Sequence, residues 1–420
     1  MSNDLHLQQA TTAVKQSGGV SEASTRADTL FEVDSGASPL VRGIYAHVPF
    51  CAHRCHYCDF FTVAGRDDQR PAFVDRMQKD VAATPAWVGG DIETIFVGGG
   101  TPTYLAPPDL VRLLRALHDR FVGECSIEFT VEANPETVTR EIAEALVTGG
   151  VNRVSLGAQS FHPELLHALE RRHDPNRVGV ALEHLREAGI TRTSVDLIFA
   201  IPGQDLGQWE DDLARAIDLG TDHLSCYGLV YEPGTPLRGR RDRGEVEPVG
   251  DDLEARMYEI ARDRLAESGF EQYEISNWAR PGHRCRHNLL YWRNENWWPL
   301  GPSASGHVEG HRWRNQPRLG EYLEGDGLPA IRDVEYLEED GRIGEGFMMG
   351  LRCLDGLPGT RVEEMLSGEG GERRRPIIAQ HVESGLLEWS GDRLRFTTRG
   401  LLLANVVIGD LLAPSTPAEG

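Results

Sequence analysis

A chain of 420 residues with a hydrophobic fraction of 40% has room for a large catalytic-sized domain plus one or two smaller ones, which excludes a peptide-sized binding module. With 43 basic against 65 acidic residues the net charge is −22, a balance that repels phosphate backbones and anionic headgroups and sets nucleic acid and membrane surfaces aside as partners.

Residues 1–40 are rich in Ser, Thr, Ala and Gln, hold Phe31 as their one aromatic, show no sustained period, and predict a tail without structure. No charged start followed by an apolar run marks them as a leader. The most apolar late stretch, LLLANVVIGDLLA, is broken by Asn405 and Asp410, so no integral membrane segment is expected. Seven cysteines, three of them inside CAHRCHYC, suit a reducing cytoplasm and a metal or redox site better than a disulfide framework.

From Gly43 onward short β-branched runs alternate with amphipathic stretches. IYAHV precedes a helix over 73–83, TIFVGG one over 109–120, and IEFTVEA one over 139–147. RVSLGA is followed by helices at 163–169 and 177–188, TSVDLIFA by one at 206–219, and HLSCYGLV closes the series. Six strands with helical crossovers predict an α/β fold built on a parallel sheet over residues 41–235. A Gly-, Pro- and Arg-rich stretch follows, then a helix at 253–268 and an aromatic-rich segment to about residue 315, expected to cover the mouth of the sheet as a lid. Residues 316–420 predict a smaller helical domain ending in a hairpin, LLEWSGDRLRFT, of winged-helix type. The acidic balance favours a structural or docking role for it over DNA binding.

Cys51, Cys55 and Cys58 stand directly after the first strand. Thiolates this close can share one metal centre, either a zinc ion completed by His47, His53 or His56, or three irons of a 4Fe-4S cluster with the fourth left open. The next strand ends in Gly98, Gly99, Gly100, Thr101 and Pro102, where absent side chains let backbone approach a ligand. Further strand ends carry Glu132, Gln159 and Asp196, the placement expected of functional residues in a parallel barrel.

The triplet C-x-x-x-C-x-x-C after the first strand resembles the hallmark of the radical S-adenosylmethionine (SAM) superfamily, and YAHVPFCAHRCHYCDFF resembles its coproporphyrinogen dehydrogenase-like branch. The resemblance implies a partial (β/α)6 TIM-like barrel, a 4Fe-4S cluster on Cys51, Cys55 and Cys58, and SAM held by Tyr45, Tyr57, Gly99, Gly100, Thr101, Glu132, Gln159, Arg171 and Asp196. Porphyrinogen dehydrogenases carry a further cysteine two residues after the triplet, where this chain has Phe60. With YEISNWAR at 273–280 and CRHNLLYW at 285–292, the match runs closer to the HemW-like heme chaperones. Two functions stand side by side: binding heme and passing it to an acceptor protein, or oxidative decarboxylation of porphyrinogen propionates. Heme needs an axial donor and a broad apolar surface. His287 or Cys285 is the expected donor, and Tyr291, Trp292, Trp297 and Trp298 the expected surface. The competing reading makes the same segment a packed lid with His287 in its core.

Overall fold

The computed structural model describes residues 26–31, 38–123 and 127–412. Cys125, one of the seven cysteines, lies outside them. Six strands run in parallel register: β1 (Gly43–Val48), β2 (Thr94–Gly99), β3 (Glu128–Ala133), β4 (Arg153–Gln159), β5 (Arg192–Phe199) and β6 (His223–Gly228). Between them come α1 (Arg70–Ala83), α2 (Pro107–Phe121), α3 (Arg140–Thr148), α4 (Pro163–Ala168), α5 (Arg177–Ala188) and α6 (Leu206–Asp218). Each helix buries one stripe on the sheet; in α2 it is Leu110, Leu113, Leu114, Leu117 and Phe121, the spacing of a single helical face. Helix starts are capped locally, α3 by the Thr139 hydroxyl and α6 by a reciprocal capping box of Asp205 and Gln208.

Because side chains alternate across a strand, one face of the six packs on the helices and the other lines a lumen. The lumen set is polar: Tyr45 and His47 on β1, Glu128, Thr130 and Glu132 on β3, and Arg153, Ser155 and Gln159 on β4. Ser194 and Asp196 on β5 and His223, Ser225 and Tyr227 on β6 complete it. The alternate positions, such as Ile44, Val131, Val154, Val195 and Leu224, are fully buried in the main core.

The sheet continues past both ends of the six. After α7 (Pro236–Asp242) and α8 (Asp251–Glu267) come β7 (Glu271–Glu274), β8 (Asn277–Ala279), α9 (Arg286–Trp292), β9 (Trp297–Leu300), β10 (Ser305–Val308), β11 (His311–Asn315), α10 (Leu319–Glu324) and β12 (Ile331–Tyr336). The order is β12-β11-β10-β9-β1-β2-β3-β4-β5-β6-β8-β7, an open twelve-stranded sheet in which β9 extends the parallel set beside β1 and β8 runs antiparallel to β6. The partial barrel expected from sequence is thus flanked on both sides.

Three sequence expectations change. Residues 26–31, inside the stretch read as a structureless tail, pair with Ala330 through Arg26, and the Phe31 ring sits edge-on to Trp87 at 5.6 Å. That aromatic is the anchor. The second unit begins after residue 336 rather than at 316, because β12 closes one edge of the main sheet. The aromatic-rich segment also packs at the opposite end of the barrel from the one expected. Helix α9 meets the first residues of the strands: His287 bonds Thr94 at the start of β2, and Glu128 at the start of β3 accepts the backbone N–H of Arg286 and of His287, each at 3.1 Å. It is a plug under the barrel, not a lid over its mouth.

The second unit holds α11 (Glu339–Gly350), β13 (Leu357–Pro358), α12 (Gly359–Ser367), α13 (Arg374–Glu383), the hairpin β14 (Leu387–Ser390) and β15 (Arg393–Phe396), α14 (Thr398–Leu402) and α15 (Ala404–Leu412). Its sheet, β13-β15-β14, gives the winged-helix arrangement, and Phe347, Leu351, Val362, Leu394 and Val407 form a core of its own. Trp292, at the end of α9, belongs to that core and ties the plug to the second unit.

Candidate functional site

The cysteine loop leaves β1 at the carboxyl end of the parallel strands, where ligands collect in such sheets. Cys51, Cys55 and Cys58 line one cavity of about 340 Å³ with Tyr57, Gly99, Gly100, Thr101, Glu132, Gln159, Arg171 and Asp196. Every residue assigned to cluster or SAM by resemblance lines it except Tyr45, which lines a smaller adjoining cavity. Asp196 comes from three residues inside β5 rather than from its end, so it reaches the cavity as part of the lumen wall.

The thiols are held by neighbours. Cys51 Sγ lies 3.5 Å from the Thr101 hydroxyl, and an Arg171 N–H points at Cys55 Sγ from 3.8 Å. Arg171 is itself fixed, one N–H donating to the Gly157 carbonyl at 2.9 Å. Burial pushes the Cys58 thiol up to about 12 and raises that of Cys51, so both would release a proton on binding iron. Among the described residues no three His, Cys, Asp or Glu side chains gather tightly enough to hold a single metal ion. His47, one candidate to complete a zinc site, is engaged: its Nε2–H donates to the Phe61 carbonyl at 2.8 Å and its Nδ1 accepts the Tyr45 hydroxyl at 3.1 Å. Burial holds this ring neutral, with its pKa lowered to about 4.

The glycine run is required by its surroundings. Gly99 has φ +102, and a Cβ there would enter the His47 ring; at Gly100 it would meet the Phe50 carbonyl oxygen at 2.7 Å. The Gly99 N–H donates to Glu132 Oε2 at 3.1 Å. Gln159 stands at φ +66 with its Oε1 buried and unpartnered, and Asp196 accepts the Ser155 hydroxyl on both oxygens at 3.0 Å. Three soft donors without a fourth thiol beside them, a backbone cradle and an orphaned buried amide oxygen fit a cluster with an open position and a polar cofactor beside it.

The expected heme residues do not converge. Both His287 ring nitrogens are bonded, Nδ1 with the Thr94 hydroxyl at 2.8 Å and Nε2 with the Tyr291 hydroxyl at 2.9 Å, and the ring stacks on Phe96. Its lone pair is spent, and burial lowers its pKa to about 3. Cys285 is fully buried, its S–H directed to Glu128 at 3.4 Å. Trp298 packs in the main core and Trp292 in the second, while Tyr291 and Trp297 share a cluster with Tyr45. No single platform forms among them, which favours the packed-segment reading of CRHNLLYW.

Sequence reasoning missed the lower lumen: Phe96, Arg153, Ser155, His223, Ser225 and Tyr227. The signal was present as alternation, since polar residues recur every second position on β4, β5 and β6.

Residues 45–216 match the Radical SAM superfamily model, and residues 337–403 match the HemN C-terminal domain. A Mycobacterium tuberculosis (strain H37Rv) protein named heme chaperone HemW is 39% identical over 88% of this chain and 94% of its own, and the Bacillus subtilis (strain 168) protein of that name is 33% identical over 89% and 99%. This chain belongs to the HemW family. The E. coli coproporphyrinogen III oxidase HemN has the same fold at a TM-score of 0.75, covering 88% of this chain and 90% of its own at 22% identity. The boundary of the C-terminal match coincides with the end of β12. As a HemW-family member the chain carries the radical SAM domain that implies a 4Fe-4S cluster and SAM. No helix among its described residues is long and apolar enough to cross a membrane.

Proposed function

We propose that this chain is a heme chaperone that binds heme and passes it to an acceptor protein in the cytoplasm, carrying a 4Fe-4S cluster on Cys51, Cys55 and Cys58 with SAM beside it. The observation that carries the reading is identity of 33% to 39% with proteins named heme chaperone HemW across nearly the whole chain. Phe60 supports it: an apolar ring lines both cavities where porphyrinogen dehydrogenases place a further cysteine. A 4Fe-4S cluster held by Cys51, Cys55 and Cys58 would supply the electron for reductive cleavage of the SAM sulfonium. The protein's part is placement. Thr101 and Arg171 orient two of the three thiols, Gly99 and Gly100 let the backbone approach the cofactor, and Gln159 offers an amide oxygen that nothing else uses. Asp196, held by Ser155, presents a carboxylate at the cavity floor. Reduced cysteines, free at all six described positions, agree with a cytoplasmic setting.

The test is to incubate anaerobically reconstituted protein with heme, and separately with coproporphyrinogen, SAM and reductant. Heme uptake with a Soret band and no protoporphyrinogen formation is expected. Decarboxylation that depends on Cys58 would transfer the chain to the oxidase reading.

A further inference from the structure

Beneath the cofactor cavity lies a second one of about 50 Å³, bounded below by α9 and sharing Phe60, Gly99, Glu132, Ser155 and Asp196 with the cavity above. Arg153, 3% exposed, lines it. Among the described residues its guanidinium makes no hydrogen bond or ion pair. The carboxylates that face it are already engaged. Glu128 accepts from the Cys285 thiol, the backbone of Arg286 and His287, and Arg192. Asp196 takes Ser155 on both oxygens and Ser194 on one. Neither completes the arginine fork, although both stabilise its charge from a distance. The imidazole of His223 nearby is neutral and bonded at both nitrogens, to Ser194 at 2.7 Å and Tyr273 at 2.8 Å, so it supplies no competing charge. A buried cation whose donors lack acceptors is costly unless water or a ligand provides them, and a planar carboxylate matches that fork in two parallel bonds.

We infer that the lower cavity is a carboxylate-binding subsite in which Arg153 takes the carboxylate and Ser225 and Asn288 flank it. The volume admits a carboxylate with one or two methylenes. With Asp196 and Glu132 on the side shared with the upper cavity, like-charge repulsion directs the carboxylate down toward Arg153 and its carbon chain up toward the cofactor cavity. Two molecules present this chemistry: a free short carboxylic acid, and the propionate arm of a tetrapyrrole, the latter resting on the heme reading above.

The experiment uses the reconstituted full chain and [1-13C]propionate followed by NMR titration. Wild type is expected to bind propionate saturably and propionamide, its neutral isostere, at least about tenfold more weakly. Arg153→Met should abolish propionate binding and Arg153→Lys should retain part of it. Equal binding of acid and amide, or no binding of either, overturns the subsite on wild-type protein alone, whatever the fate of the variants; ordered water is then what serves Arg153. Heme and heme dimethyl ester distinguish the source. A wild-type preference for the free acid of about tenfold that disappears in Arg153→Met assigns the tetrapyrrole arm, whereas equal affinity with propionate binding intact assigns a free acid. If no heme binds in any form, the chaperone reading fails and the propionate titration still decides the subsite.

Discussion

Gln159 and Gly99 line the same cofactor cavity but differ in what a substitution would reveal. Gln159 is a left-handed residue with an unpartnered amide oxygen in the cofactor cavity. Asn tolerates that backbone and shortens the reach, so Gln159→Asn should keep the melting temperature and the iron content while SAM affinity falls about tenfold, read by equilibrium binding. Gly99→Val places a branched side chain at φ +102 against His47 and should lower stability together with SAM binding. A glycine variant therefore does not separate the two effects, and the glutamine variant does.

His287 allows a sharper test at the same scale. Its bonds to Thr94 and Tyr291 and its stack on Phe96 predict that His287→Ala costs about 2–4 kcal/mol by chemical denaturation while the heme Soret band keeps its position. The pH dependence follows from burial, which lowers the folded pKa from 6.5 to about 3. A buried neutral histidine is protonated first in the unfolded chain, so its contribution is complete above pH 6.5 and fades as pH falls from there toward 3. The stability gap between wild type and His287→Gln, which does not titrate, should narrow on acidification below that upper limit. A gap that widens would mean that His287 is charged in the folded protein.

At the scale of the element, α9 is seven residues long, too short to persist alone. It is held by Glu128, whose carboxylate accepts two N–H groups at the helix start, opposite the positive end of its dipole, and by burial of Leu290, Tyr291 and Trp292. Glu128→Gln removes the charge and leaves the buried Arg153 without one of the two carboxylates, Glu128 and Asp196, that stabilise its charge. The expected loss is about 2–4 kcal/mol, with amide exchange across 286–292 accelerating more than in α2. Equal acceleration in both helices would show that the plug has no separate dependence on this carboxylate.

For the whole molecule the joint between the two units matters most. Glu345 on α11 pairs with Arg312 on β11 and accepts the Asn294 amide at 2.8 Å, with both ion-pair partners largely buried. Breaking such a pair strands the remaining charge and costs about 3–5 kcal/mol, whereas a surface pair costs little. Glu345→Ala should lower the unfolding midpoint clearly, and Glu363→Ala, which breaks an exposed pair with Arg375, should leave it nearly unchanged. Because Trp292 ends the plug and sits in the second core, Glu345→Ala should also raise the fluorescence accessibility of a buried tryptophan.

How far the sequence reaches follows from the range of the forces involved. The β/α alternation from Gly43 to Gly228, the three-cysteine loop and the glycine cradle are written in contiguous stretches, where hydrophobic period, helix caps and glycine conformation act over a few residues. The position of α9 under the barrel and the pairing of Glu128 with residues 285–287 join segments more than a hundred residues apart, and no local pattern encodes which end of a strand a distant helix will meet. His287 illustrates the division: an imidazole beside aromatic residues is legible as a potential ligand. Only the packed structure decides that Thr94 and Tyr291 occupy its two nitrogens. For Arg153 the sequence supplies a cation at the start of a strand, and the tertiary fold alone buries it facing a cavity whose carboxylates are already satisfied, because desolvation and hydrogen-bond saturation are properties of the assembled lumen.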